Sequence, residues 1–166
     1  SNPKVQKMTA WLAQNKGLVE EAIAMYELSF QGDPDDLATS MNLGNLLISQ
    51  NMWAKSISHY QLALEHHPNE PLFLVKLASL LINCPDPSYI NYEVGKEYAE
   101  RAFIHVESPP RTAIAAGRSL AIAFANLGQV QNARLVINQT MDMARRANFS
   151  ETHMAVLEKL SLQLTK

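Results

Sequence analysis

Apolar residues recur at intervals of three and four along most of the chain. Leu74, Leu77, Ala78 and Leu81 form one such set, and Met154, Leu157, Leu160 and Leu164 another. That spacing is the period of a helix face, whereas a half-buried strand would alternate apolar and polar residues. Breaks divide the pattern: Gly17, Pro34, Asn51, Pro68, the stretch Asn83-Cys84-Pro85-Asp86-Pro87-Ser88, Gly128, and Asn148-Phe149-Ser150. The segments between them predict nine helices and no credible strand. Glycines and prolines about every 15 to 20 residues exclude a heptad coiled coil.

The breaks keep a register. Pro34 and Pro68 each end a helical pattern and lie 34 residues apart. The pairs Ala22 and Ser56, Ile23 and Ile57, and Tyr26 and Tyr60 are separated by the same 34. On these residues the chain resembles the tetratricopeptide repeat, a helix-turn-helix unit of 34 residues. The second unit carries the pattern best, with Leu43-Gly44, Tyr60, Ala63 and Pro68; Ser40 replaces an aromatic and Asn51 replaces the turn glycine. The first keeps Gly17, Ala22, Tyr26 and Pro34, with Ser29 where alanine is usual. Small residues such as Gly44 and Ala22 belong where two helix axes cross closely, and the tyrosines fill the wider gap beside them. Proline closes a unit because it cannot donate the next helical hydrogen bond.

A third unit starts at Asn69-Glu70-Pro71, where Asn69 is the expected cap. Its second helix resumes with Gly95, Ala99 and Ala102, and Ala102 follows Ala63 by 39 residues, so five extra residues lie between its helices. The Cys-Pro-Asp-Pro segment resembles an insertion of some bacterial repeat proteins, and reads as an extended turn with a short helical lead-in at 89–93. The fourth unit holds Leu120-Ala121, Phe124, Gly128 and Ala133, with Arg145 in place of the closing proline. Ser150 then caps a last helix that covers the face the final hairpin would leave bare. The resemblance implies an all-α, right-handed α-solenoid in a single domain over 1–166. Its units lie at about 3–36, 37–70, 71–109 with an insertion at 83–92, and 110–147, followed by a capping helix at 150–164.

Composition fits one folded domain: 166 residues, 47% hydrophobic and 18% charged. Fourteen basic against sixteen acidic residues give a net charge of −2, which argues against nucleic acid as a partner. Charge is uneven, since residues 101–166 carry eight basic and four acidic groups. Helix-surface drift explains this; the alternative is a basic contact patch of Arg118, Arg134, Arg145 and Arg146. No run approaches the length of a membrane span, so no membrane insertion by this segment is expected. The chain opens on Ser1-Asn2 without methionine, which resembles a protease-cleavage scar and suggests a segment of a longer protein. A cytoplasmic and a periplasmic setting both fit a single cysteine.

Catalytic patterns are missing. His59 and His66 are seven apart and His66-His67 sit at a helix end, so the histidines offer no zinc pair, and no metal or cofactor is expected. Cys84 has no neighbouring base and reads as a small residue packed in the insertion. The glycines are isolated and make no phosphate loop, and Glu20-Glu21 and Asp35-Asp36 suit helix starts. The chain is therefore not expected to be an enzyme.

The resemblance directs attention to the first helix of each unit, which lines the inner groove of the family and holds extended peptides or partner helices. The corresponding positions are Lys7, Trp11 and Gln14; Met41, Asn42, Asn45 and Ser49; Val75, Lys76, Ser79 and Asn83; and Arg118, Ser119, Ile122 and Asn126. Asparagine amides can pair with both polar groups of a ligand backbone. Lys7, Asn42 and Lys76 match part of the family's clamp for a terminal carboxylate, but Trp11 and Leu72 replace two of its polar members. Trp11 and Met41 are candidate anchors, with packing between hairpins as the alternative role. The expected function is a non-catalytic module binding a protein or peptide. The alternative is a regulatory or substrate-docking domain of a larger, membrane-bound enzyme such as a glycosyltransferase. Val5, Met8 and Leu12 on the first helix allow a homodimer.

Overall fold

The computed structural model describes residues 2–105 and 109–164; the end of the third predicted unit, at 106–108, lies outside them. Within the described residues the helices are α1 (Pro3–Asn15), α2 (Val19–Gly32), α3 (Leu37–Ser49), α4 (Trp53–His66), α5 (Pro71–Asn83), α6 (Tyr92–Ile104), α7 (Pro110–Asn126), α8 (Val130–Arg146) and α9 (Glu151–Gln163). No strand occurs among them. The chain forms two compact units, residues 1–68 and 69–166.

In the first unit α1 packs on α2, α2 on α3, and α3 on α4. Ala10, Ala13, Ala22, Tyr26, Leu43 and Leu47 form its core. Gly44 is the narrow point of the α3–α4 hairpin, with Ser56 Oγ donating to its carbonyl at 3.3 Å and the ring of Tyr60 lying against it. The serine that takes the place of an aromatic is also buried: the Ser40 carbonyl accepts a hydrogen bond from His59 Nε2 at 2.9 Å, which places that ring proton on Nε2. Burial holds the His59 pKa below its ordinary value, against the opposing pull of that hydrogen bond and of Glu27.

Four helix ends share one closing geometry. Leu18 N–H bonds the Ala13 carbonyl, Met52 that of Leu47, Gln129 that of Phe124 and Phe149 that of Ala144, all between 2.8 and 3.0 Å. Each requires a left-handed residue just past the helix: Gly17 at φ 75°, Asn51 at 57°, Gly128 at 74° and Asn148 at 53°. Asn51 thus does the work of the turn glycine it replaces. Asn148 provides the stop after α8 where the closing proline is missing.

In the second unit α5, α6 and α7 pack on one another, α8 on α7, and α9 on α8. The insertion departs from the expected lead-in at 89–93: a single 3-10 turn covers Pro87–Tyr89, and α6 starts only at Tyr92. Asp86 caps the short turn through Ser88, Asn91 caps α6 through Val94 N–H, and Asn91 N–H returns to the Leu81 carbonyl at 2.8 Å. Cys84 is buried there, as its size suggested. Two caps also differ from expectation. Glu70, not Asn69, accepts from Leu72 N–H at the start of α5, because the carboxylate stands one residue nearer the first turn. Ser150 precedes α9 but spends its hydroxyl on His153 Nδ1 at 2.7 Å. The last helix buries Leu157 and Leu164 against α8, and Arg134 Nε donates to the Leu164 carbonyl at 2.9 Å.

Candidate functional site

Positions four and three apart put Lys7, Trp11 and Gln14 on one face of α1, and the same rule aligns Asn42, Asn45 and Ser49 on α3. Packing then brings the polar ends of Lys7, Gln14 and Asn42 beside Asp36 and Tyr26. Lys7 Nζ meets Asp36 Oδ2 at 2.6 Å, and Asp36 is the N-cap of α3, also accepting from Ala38 N–H at 3.1 Å and Thr39 Oγ1 at 2.8 Å. Burial works to raise the Asp36 pKa, but hydrogen bonds from Lys7 and Thr39 and the lysine charge outweigh it and hold the carboxyl below its ordinary value. Beside this pair the Tyr26 hydroxyl donates to Gln14 Oε1 at 3.3 Å. Burial raises the Tyr26 pKa, moderated by a hydrogen bond with Asn42 and by the charge of Lys7.

Lys7, Gln14 and Asn42 are therefore oriented by a tyrosine and an aspartate that the sequence reading did not include in the site. The signal for Asp36 was its place immediately before α3. Trp11 is half exposed, Met41 is partly buried, and Asn45 and Ser49 are exposed, although the Ser49 hydroxyl donates to the Leu46 carbonyl of its own helix.

In the second unit Val75, Lys76 and Ser79 lie half-buried on α5, which packs directly on α7, and Asn83 ends α5 in an exposed position. Lys76 is the chemically notable one. Burial pushes its pKa down, and no carboxylate of the described residues lies within ion-pair distance of it. Arg118 is exposed and Ile122 half-buried on α7, while the Asn126 amide donates to the Ile122 carbonyl at 2.9 Å. Ser119 corrects the predicted set: it is 1% exposed and faces the interior, because α7 turns that side toward its neighbours. The four arginines of the suggested basic patch also serve different ends. Arg134 holds the α9 terminus and Arg145 pairs with Asp142 at 2.9 Å, leaving Arg118 on α7 and Arg146 at the end of α8.

Among the described residues no group of three or more His, Cys, Asp or Glu side chains could hold a metal ion, and no helix is long and apolar enough to cross a membrane. What the faces of α1, α3, α5 and α7 present is amides, two lysines, an arginine and partly buried apolar side chains.

Successive antiparallel helices that repeat one turn geometry define an all-α helical-repeat protein. No family model and no curated protein matches the chain in sequence. Solved structures share its fold. The crystal structure of MamA protein aligns with a TM-score of 0.71 at 14% identity over 98% of this chain and 86% of that one. PilW, a widely conserved type IV pilus biogenesis factor, gives 0.64 at 13% identity over 98% and 77%, and YrrB, a TPR protein with an unusual peptide-binding site, gives 0.64 at 14% over 96% and 84%. The fold is the all-α solenoid of tetratricopeptide repeats, as the 34-residue register implied.

Proposed function

We propose that this chain is a non-catalytic protein-interaction module that holds a peptide or helix of a partner on the first helices of its hairpins. The observation that supports it most is the convergence of Lys7, Gln14 and Asn42 on the Tyr26 hydroxyl and Asp36. Side chains fixed in this way lose little rotamer freedom on binding, so amide-to-backbone hydrogen bonds keep most of their worth. Trp11 stands exposed beside them as an apolar anchor, and Asn45 extends the amide row along α3. Met41 and Ser49 complete the surface on the first unit. On the second unit the surface consists of Val75, Lys76, Ser79, Asn83, Arg118, Ile122 and Asn126, with the buried Ser119 left out. YrrB, which shares the fold, is described by its peptide-binding site.

Panning a displayed peptide library against the 166-residue protein tests the reading. Enriched peptides are expected to bind with dissociation constants of about 1–100 μM. Trp11→Ala and Asn42→Ala should each weaken them by roughly fivefold to thirtyfold, the cost of losing one anchor or one hydrogen bond. Absence of any enriched peptide, or binding that is indifferent to substitution of every one of these groove residues, overturns the proposal.

A further inference from the structure

We infer that the groove between α7 and α9 is a docking site for an amphipathic helix bearing two acidic residues just under two turns apart, with a large apolar residue between them. This deepens the peptide-binding reading, from which it takes a polypeptide occupant and with which it shares Arg118. The groove holds a cleft of about 210 Å³ lined by Arg111, Ile114, Arg118, Phe149, His153 and Val156.

Its two arginines are the informative feature. Arg111 and Arg118 are seven positions apart on α7, so they rise on one face about 10 Å from each other. Both are exposed, α7 contains no acidic residue, and no carboxylate of the described residues lies within ion-pair distance of either guanidinium. Other arginines of the same unit are engaged, Arg134 on the Leu164 carbonyl and Arg145 on Asp142. Arg111 is held at the rim by the Phe149 ring, 6.0 Å from its centroid, and His153 meets the edge of the same ring at 5.6 Å. Between the arginines the floor is apolar: Ile114 is buried, and Val156 on α9 is half exposed.

The order along α7 is thus cation, apolar residue, cation, at helical spacing. A second helix laid alongside presents the complement on one of its own faces, with acidic residues seven apart and an apolar residue midway. Arginine pairs bidentately with carboxylates, and a rim of charge around an apolar centre is the common anatomy of an interface. A cleft of this volume accepts one large side chain, which fixes the register of the bound helix.

The probe is a fluorescein-labelled, end-blocked, alanine-rich helical peptide with two glutamates seven positions apart and one phenylalanine midway, titrated with the 166-residue protein by fluorescence anisotropy. Binding in the range of about 10–100 μM is expected. Replacing the glutamates by glutamines, or using Arg111→Gln with Arg118→Gln, should weaken it at least about tenfold; charge reversal at both arginines should abolish it. Ala115 also lines the cleft, between the two arginines on α7; Ala115→Trp, which fills the cleft and leaves the arginines in place, should also abolish binding, with circular dichroism reporting that each variant is folded. Should Ala115→Trp fail to fold, replacing the probe phenylalanine by alanine reads the same contact. Trp11→Ala and Asn42→Ala should leave the probe unaffected, so this site and the proposed peptide surface of the first unit succeed or fail separately. No binding below about 1 mM, or binding indifferent to both arginine substitutions, overturns the inference. So does displacement of the probe by low-millimolar inorganic phosphate with no loss on replacing its phenylalanine, since that marks a small-anion site.

Discussion

The backbone of Gly44 lies so close to the ring of Tyr60 that a β-carbon at that position would overlap the phenol. Tyr60 itself is fully buried, so its ring has little room to withdraw. Here α4 presses its Tyr60 ring against the backbone of α3, and the missing side chain is what allows it.

Gly44→Ala should therefore destabilise the protein by about 1–3 kcal/mol through overpacking, despite the better helix propensity of alanine. In a Tyr60→Leu background, where the far end of the ring is gone, the same substitution should cost close to nothing. Urea denaturation of the four proteins in that cycle measures the coupling. Equal costs in both backgrounds would remove the contact as the cause.

The Lys7–Asp36 pair makes a pH prediction. Asp36 is held below its ordinary pKa when folded, so its contribution is complete above about pH 4 and fades as the pH falls through the folded value. Asp36→Asn retains a capping side chain and loses the charge. Wild type should exceed the variant by on the order of 1 kcal/mol at pH 7, and the gap should narrow steadily as the pH falls below about 4. Urea midpoints of both proteins across that interval give the comparison; a gap independent of pH contradicts the assignment.

Asn51 offers a test of the turn. Its φ of 57° is a conformation that glycine adopts without steric cost and asparagine tolerates. Asn51→Gly should be neutral or stabilising by up to about 1 kcal/mol, and Asn51→Val should be destabilising by about 1–2 kcal/mol, because a β-branched residue is strained there. Thermal unfolding of the two variants beside wild type reads the order. A valine variant as stable as the glycine one would show that the turn had relaxed to another conformation.

Much of the fold was legible because it depends on local rules. Periodicity marked the helices, and the spacing of Pro34 and Pro68 fixed the repeat. The turn positions at Gly17 and Gly128 followed from backbone sterics alone. The insertion was visible as a break, but its internal form was not. The 3-10 turn at Pro87–Tyr89 depends on Asp86 capping and on the return of Asn91 N–H to Leu81, a bond between segments ten residues apart.

For the candidate site the sequence offers a set of positions and not their arrangement. Helical register places Lys7, Gln14 and Asn42 on the first helices, and that much is local. Their gathering around Tyr26 and Asp36 depends on how α1, α2 and α3 pack, which no spacing within one helix encodes. Ser119 shows the converse, since a position that the repeat register assigns to the groove is buried by the packing of α7. Arg111 and Arg118 were separable from the other arginines only once Phe149, in the turn before α9, and His153 on α9 stood opposite them. By itself the sequence determined the helices, their turns and the repeat, because these answer to backbone geometry and to the burial of one face. The tertiary structure alone decided which polar groups meet, because charge and hydrogen bonding act over a few ångströms between segments far apart in the chain.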